Sequence, residues 1–167
     1  MSVFYPHYDF KRVYMIPSEF WQHKGITALL LDVDNTLTTH DNPIPHDEVL
    51  NWLEQQRNAG LRLMILSNNH EERVRSFAQK LGLEYIADAA KPLPWHLKHA
   101  LKKLGVSPSQ TALIGDQIFT DILCGRLTGC TTVLVEPMES ETSRFFRFKR
   151  KLEIGILKQY RRSKEKL

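Results

Sequence analysis

Long apolar runs are missing from this chain. The longest, such as Ala28 to Leu31 and Leu63 to Leu66, fall far short of the roughly 20 residues needed to cross a bilayer, which argues against a membrane-spanning segment. Cysteine is scarce as well. Cys124 and Cys130 are too few for a metal cluster and show no Cys-x-x-Cys spacing, so reduced, partly buried thiols are expected. Met1 to Phe10 lacks the basic start and apolar stretch of a secretory signal, and a cytoplasmic location is the expectation. The seven histidines include no metal-type pair: His96 and His99 stand three apart, but without a carboxylate partner nearby in sequence. Internal repeats, low-complexity stretches and Gly-Ser linkers are also absent.

What remains is enough for one core. A chain of 167 residues, 42% hydrophobic, sits in the single-domain size range. Its net charge of +4 conceals an asymmetry. Residues 142–167 hold ten of the 23 basic residues and two of the 19 acids, a balance of +8 that leaves −4 on the rest. The expected division is therefore residues 1–141, a single domain with an N-terminal arm, and residues 142–167, a basic segment able to seek phosphate-bearing surfaces.

Within the acidic body, β-branched and leucine-rich runs alternate with helical periodicity. Thr27–Val33, Leu61–Leu66, Tyr85–Ala87, Thr111–Gly115 and Thr131–Val135 read as buried strands. Pro45–Ala59, Glu71–Leu81, Leu93–Leu104 and Ile118–Leu127 read as helices, three of them stopped or followed by glycine. Such alternation implies right-handed crossovers and an α/β fold, a doubly wound parallel sheet of five strands. Trp52 and Trp95 fall within helical patterns as packing residues, and Trp21 is expected to pack the N-terminal arm on the sheet edge. Ligands of such sheets bind at the carboxyl ends of the strands, so the informative residues are Asp32, Asp34, Thr36, Ser67, Lys91 and Asp116.

In Asp32-Val33-Asp34, alternation lets both carboxylates point to one side. Crowded carboxylates repel, and a divalent cation relieves the conflict. Magnesium suits hard oxygen ligands and needs only one or two protein carboxylates besides phosphate, which fits Asp32 and Asp116. A carboxylate can attack phosphorus while a second acid protonates the leaving alcohol, roles suited to Asp32 and Asp34. Ser67 and Lys91 offer a hydroxyl and an ammonium to phosphoryl oxygens. Asp121 is better placed to order water or Lys91 than to bind metal, and Asn35 to brace the loop.

Asp32-Val33-Asp34-Asn35-Thr36-Leu37, Ser67, Lys91-Pro92 and Gly115-Asp116 with Asp121 together resemble the four motifs of haloacid-dehalogenase (HAD) superfamily phosphatases. The match in order and spacing covers residues 27 to 135. The run Asp34-Asn35-Thr36-Leu37, with Ser67-Asn68-Asn69 and Lys91-Pro92, is similar to the YqeG family of subclass IIIA, a likeness that extends over most of the chain. The resemblance implies a HAD-like Rossmannoid fold and Mg2+ as cofactor. Among the residues, it makes Asp32 the nucleophile, Asp34 the acid/base, and Ser67, Asn68 and Lys91 the phosphate binders. The metal ligands are then Asp32, Asp116 and, through its main-chain carbonyl, Asp34, with Thr36 and Asp121 supporting from behind. Larger relatives insert a cap domain after the first motif or between the second and third. Only 23 residues separate Ser67 from Lys91, so no cap domain is expected, and an open site suits a large or membrane-presented phosphate. Organellar relatives act on phosphatidylglycerophosphate, which makes a phospholipid the leading substrate suggestion.

The competing class is a non-catalytic phospho-acceptor or phosphate-binding module, such as a response-regulator receiver. Its acceptor aspartate would follow the third strand, where Asp88 stands, but the Asp-x-Asp-x-Thr order speaks against it. In the tail, Phe145, Phe148, Leu152, Ile156 and Tyr160 recur at helical spacing among Arg144, Arg147, Arg150, Lys151, Lys158, Arg161 and Arg162. This is the pattern of a basic amphipathic helix that lies peripherally on an anionic membrane, here the inner membrane face. Packing against the domain and contact with a nucleic-acid backbone are the alternatives. Oligomeric state leaves no mark in the sequence.

Overall fold

The computed structural model describes residues 2–40 and 42–164. Of the segments read above, Met1 and residues 165–167 lie outside it. Among the described residues six parallel strands form one sheet: β1 (Tyr8–Phe10), β2 (Ala28–Leu31), β3 (Arg62–Leu66), β4 (Glu84–Ile86), β5 (Thr111–Gly115) and β6 (Thr131–Val135), in the order β1-β6-β5-β2-β3-β4. The helices are α1 (Ser18–His23), α2 (Asp47–Asn58), α3 (Glu71–Leu81), α4 (Trp95–Leu104), α5 (Leu123–Thr128) and α6 (Arg144–Lys164). The expected five-stranded sheet thus gains a sixth member. β1 is three half-buried residues, Tyr-Asp-Phe, with no hydrophobic alternation to betray it. It is a strand because the open edge of β6 gives its backbone partners, pairing Tyr8 with Val133 and Phe10 with Val135.

Side-chain alternation along the central strands sorts the core into two layers. Leu29, Leu31, Ile65, Ile114 and Val133 point to the layer holding Trp21, Trp52 and Phe77. Leu30, Met64, Leu66 and Leu113 point to the layer holding Leu97, Ala100, Leu101 and both cysteines. β2 is buried along its whole length, which is why it reads as a continuous apolar run. α3 ends as its sequence suggests, with Gly82 in the left-handed conformation at φ 61° that an L side chain adopts at a cost. Among the described residues no inserted cap interrupts this pattern: a single helix, α2, joins β2 to β3, and α3 alone joins β3 to β4.

Two aromatic expectations change. Trp95 opens α4 and is 65% exposed, because the buried face of that helix begins only at Leu97. Trp21 is fully buried, its Nε1 donating to Gln56 Oε1 at 3.0 Å, and it is Phe20 that packs edge-to-face on Tyr8 and Phe10 of the arm. The expected helix from Ile118 begins as a π turn, Ile118–Ile122, before α5. Both Asp121 N–H and Ile122 N–H reach the Gln117 carbonyl.

α6 divides its own apolar stripe. Ile156 and Leu157 pack with Ile118, Ile122 and Leu134 in a third cluster, and Tyr160 is 3% exposed. Phe145 and Phe148 remain 69% and 61% exposed. No helix among the described residues is long and apolar enough to cross a membrane.

Candidate active site

The chain runs from β2 outward through β3 to β4, then returns to β5 on the other side of β2. Strand order therefore reverses between β2 and β5, the place where doubly wound sheets bind ligands. Asp32 follows β2 and Asp116 follows β5, and Asp32 N–H donates to Ile114 O at 3.0 Å, tying the two strand ends together. Asp32, Asp116 and Asp121 each place a carboxylate oxygen within 4.8 Å of the others, and all three are buried.

Lys91 neutralises part of this charge. Its Nζ donates to Asp32 Oδ1 at 2.9 Å, Asp121 Oδ1 at 2.6 Å and Leu66 O at 2.7 Å, which engages all three ammonium protons. Burial alone would lower its pKa, but Asp121 and Asp32 together raise it. Burial pushes the Asp32 carboxyl up to about 6, with Lys91 opposing and Asp121 adding to the rise. Asp121 keeps its second oxygen on Gln117 N–H at 3.1 Å, a contact that the π turn makes available. Gly115 belongs to the same arrangement, since a Cβ there would collide with the Asp121 side chain.

Asp34 turns elsewhere. Its Oδ2 accepts from Asn69 Nδ2 at 2.8 Å and its Oδ1 from Arg73 Nη2 at 2.6 Å, while His40 Nδ1 lies 3.9 Å away. The third carboxylate of the cluster is accordingly Asp121, and any part Asp34 takes in metal binding falls to its main chain. Asn35, in the left-handed region at φ 61°, makes the turn after β2, and its Oδ1 accepts from Glu139 N–H at 3.1 Å. Thr36 Oγ1 lies 3.5 Å from Asp32 Oδ2. Ser67 is buried at the end of β3, where its Oγ accepts from Asn69 N–H at 3.1 Å. The Asn68 amide clamps the Lys91 main chain from both sides, Nδ2 to O at 3.0 Å and Lys91 N–H to Oδ1 at 2.7 Å.

The donor set suits a hard divalent cation. Asp116 Oδ1 is buried with no hydrogen-bond partner, an expense that a bound cation removes. Burial raises the pKa of Asp116 well above the usual carboxylate range, against the pull of Arg150 and with Asp32 and Asp121 adding to the rise; a cation would reverse that balance. Asp32, Asp116 and Asp121 are the carboxylates near enough to share it, and Asp116 Oδ1 is the oxygen buried without a partner.

Several participants escaped the sequence. Arg73 left one signal, as a cation in the first turn of α3, where the helix dipole favours acids. Arg150, which bonds Asp116 from α6, left none, being one base among ten in its segment. Beside Asp116 lies a cavity of about 490 Å3 between β6 and α6, walled by Ile118, Leu134, Met138, Ile154 and Leu157 and edged by Arg147.

The chain resembles known proteins along most of its length. The family described as haloacid dehalogenase-like hydrolase matches residues 9–129. The chain is 32% identical over 159 residues to the probable phosphatase YqeG of Bacillus subtilis, covering 95% of this chain and 92% of that protein. It is 26% identical to the chloroplastic/mitochondrial phosphatidylglycerophosphate phosphatase 1 of Arabidopsis thaliana, over 94% of this chain but only 48% of the plant protein. Among solved structures, the cobalt-bound deoxy-D-mannose-octulosonate 8-phosphate phosphatase of Haemophilus influenzae shares the fold, with a TM-score of 0.55 and 20% identity over 67% of this chain and 69% of that one.

Proposed function

The chain belongs to the haloacid dehalogenase-like hydrolases and is a phosphatase, and on that premise we propose that it hydrolyses phosphate monoesters with magnesium through an aspartyl-phosphate on Asp32. The observation that carries the reading is the juxtaposition at the β2/β5 switch. A buried Asp32 meets Lys91 on one oxygen and stands within 4.8 Å of Asp116, whose Oδ1 has no partner.

The residues divide the work as follows. Asp32 attacks phosphorus, the bond from phosphorus to the alcohol oxygen breaks, and Asp34 gives that oxygen its proton. Water then attacks the phosphorus of the acyl phosphate, Asp34 takes the water's proton, and Asp32 and inorganic phosphate are released. Lys91 and Ser67 offset charge on the phosphoryl oxygens. Asn69 and Arg73 hold Asp34 in place. Asp32 and Asp116, with the Asp34 carbonyl, would hold magnesium, which would supply charge neutralisation between carboxylates and phosphate.

For substrate, we read a phospholipid phosphate, with phosphatidylglycerophosphate the specific candidate. The plant relative's name supports it, as do the capless site, the apolar-walled cavity beside Asp116 and the exposed Phe145 and Phe148 among Arg144, Arg147 and Lys151. These residues would seat the first half of α6 in an anionic bilayer, which puts the protein at the cytoplasmic face of the membrane.

The test uses purified full-length protein with an aryl phosphate, then with phosphatidylglycerophosphate in mixed vesicles. Magnesium-dependent turnover that chelation abolishes is expected, with the lipid preferred over sugar and nucleotide phosphates. A single phosphorylation event without turnover would mean a phospho-acceptor module. Sedimentation with anionic vesicles but not neutral ones is expected at moderate salt. Equal, negligible binding to both, or preferential binding to nucleic acid, would remove the membrane from the proposal.

A further inference from the structure

Three residues of α6, Lys149, Arg150 and Glu153, reach the strand end that carries Asp116. Arg150 Nη2 donates to Asp116 Oδ2 and, at 3.0 Å, to Glu141 Oε1. Its Nη1 donates to the Asp116 carbonyl at 2.7 Å and to Glu153 Oε2 at 3.0 Å. Glu153, itself buried, accepts from Phe119 N–H at 3.1 Å through its other oxygen, and Lys149 Nζ donates to Gln117 Oε1 at 2.6 Å. Residues 116, 117 and 119 are thus each tied to the short stretch 149–153.

The consequence falls on the two oxygens of Asp116. Oδ2 is occupied by the guanidinium, whereas Oδ1 is buried without a partner. A planar group bonded at once to the side chain and main chain of one residue fixes the orientation of that carboxylate, and a lysine ammonium lacks the fork to do both. We propose that Arg150 is the positioning residue that presents Asp116 to the metal through Oδ1 alone, and that residues 142–164 are thereby part of the catalytic unit. This rests on the metal site read above. Arg150 acts as partners behind a metal ligand do, by orienting it. The opposite role, a cation competing with the metal for Asp116, predicts that its removal tightens binding.

The test measures Mn2+ binding to the full-length protein without substrate, by the loss of the free-ion electron paramagnetic resonance signal. Wild type, Asp116→Asn, Arg150→Gln and Arg150→Lys are compared, with circular dichroism and thermal melts as folding controls. Wild type binds one ion and Asp116→Asn loses it. Arg150→Gln weakens affinity by about 10- to 100-fold, and Arg150→Lys by about 5-fold or more, because its single ammonium cannot hold carboxylate and carbonyl together. Should the glutamine variant fail to fold, the lysine variant decides alone. Affinity in a folded variant that is within twofold of wild type, or tighter, overturns the inference. Absence of Mn2+ binding by wild type would instead overturn the metal reading beneath it.

Discussion

Two cations, Lys91 buried and Arg150 half-buried, hold the carboxylates at the strand ends, and they are assembled in opposite ways. Lys91 takes all of its side-chain partners from the strand ends of the central sheet: Asp32 after β2, Leu66 in β3 and Asp121 beyond β5. Arg150 comes from a helix docked at the side, and besides Asp116 it meets Glu141 and Glu153. The Lys91 side chain is 2% exposed and that of Arg150 15%. A cluster made of strand ends inherits the rigidity of the sheet ladder, whereas one completed by a helix is as firm as the docking of that helix.

The largest effect should come from chemistry inside the Lys91 cluster. Asp32→Asn keeps the shape and a hydrogen-bonding oxygen but cannot form an acyl phosphate. Turnover of an aryl phosphate should fall at least 10³-fold, about 4 kcal/mol in barrier, in protein free of deamidated material. Retention of a few per cent of activity would remove Asp32 from the nucleophile role.

Stability separates the clusters next. Lys91→Met leaves Asp32 and Asp121 buried without a counter-charge, a loss of about 3–5 kcal/mol. Arg150 itself lies nearer solvent, so water can reach the place it leaves, and Arg150→Met should cost about half as much. Urea denaturation of the two metal-free variants decides it: equal losses would break the contrast between them.

A smaller effect tracks pH. With its carboxyl pushed up to about 6 from 3.8, folded Asp32 binds more protons than the unfolded chain between those values. Its contribution to stability is thus complete below about pH 4 and is lost as pH rises through 6. Lys91, raised from 10.5, stays charged throughout that window and loses its contribution only in more alkaline solution. Asp32→Asn should therefore gain on wild type between pH 4 and 7.5 in chelator, by about 2–3 kcal/mol, and magnesium should shrink the gain. A gap that is flat with pH would contradict the burial argument for Asp32.

The smallest effect on stability lies at the free half of α6. Phe145→Ser with Phe148→Ser removes rings that the fold leaves exposed, and its thermal midpoint should move by no more than about 0.5 kcal/mol allows. Binding to anionic vesicles should be lost in the same variant. A large fall in stability would mean that this half, too, is needed for docking.

The sheet was largely legible because its central strands are buried on both faces and so read as unbroken apolar runs, with helices and glycine stops between them. Asp32, Ser67 and Asp116 were legible for the same reason: each follows such a run, and strand ends in this topology converge, whereas Lys91 stands a little beyond β4, a short half-buried strand. β1 was hidden because Tyr8-Asp9-Phe10 carries no pattern of its own and depends on β6 for its pairing. Trp95 misled because periodicity says which helix a residue belongs to but not where the helix leaves the core.

Local chemistry written along the chain, its apolar periods, glycine stops and strand-end carboxylates, determined the architecture and put the candidate site residues at one edge. What it did not contain is which charge meets which. Arg73 reaches Asp34 across 39 positions and Arg150 reaches Asp116 across 34, contacts set by how α3 and α6 lie against the sheet. Tertiary structure alone decided that half of the basic tail docks on the domain and half stays exposed, because docking depends on the surface that Ile118, Ile122 and Leu134 offer to Ile156 and Leu157, and no helical stripe carries the shape of its partner.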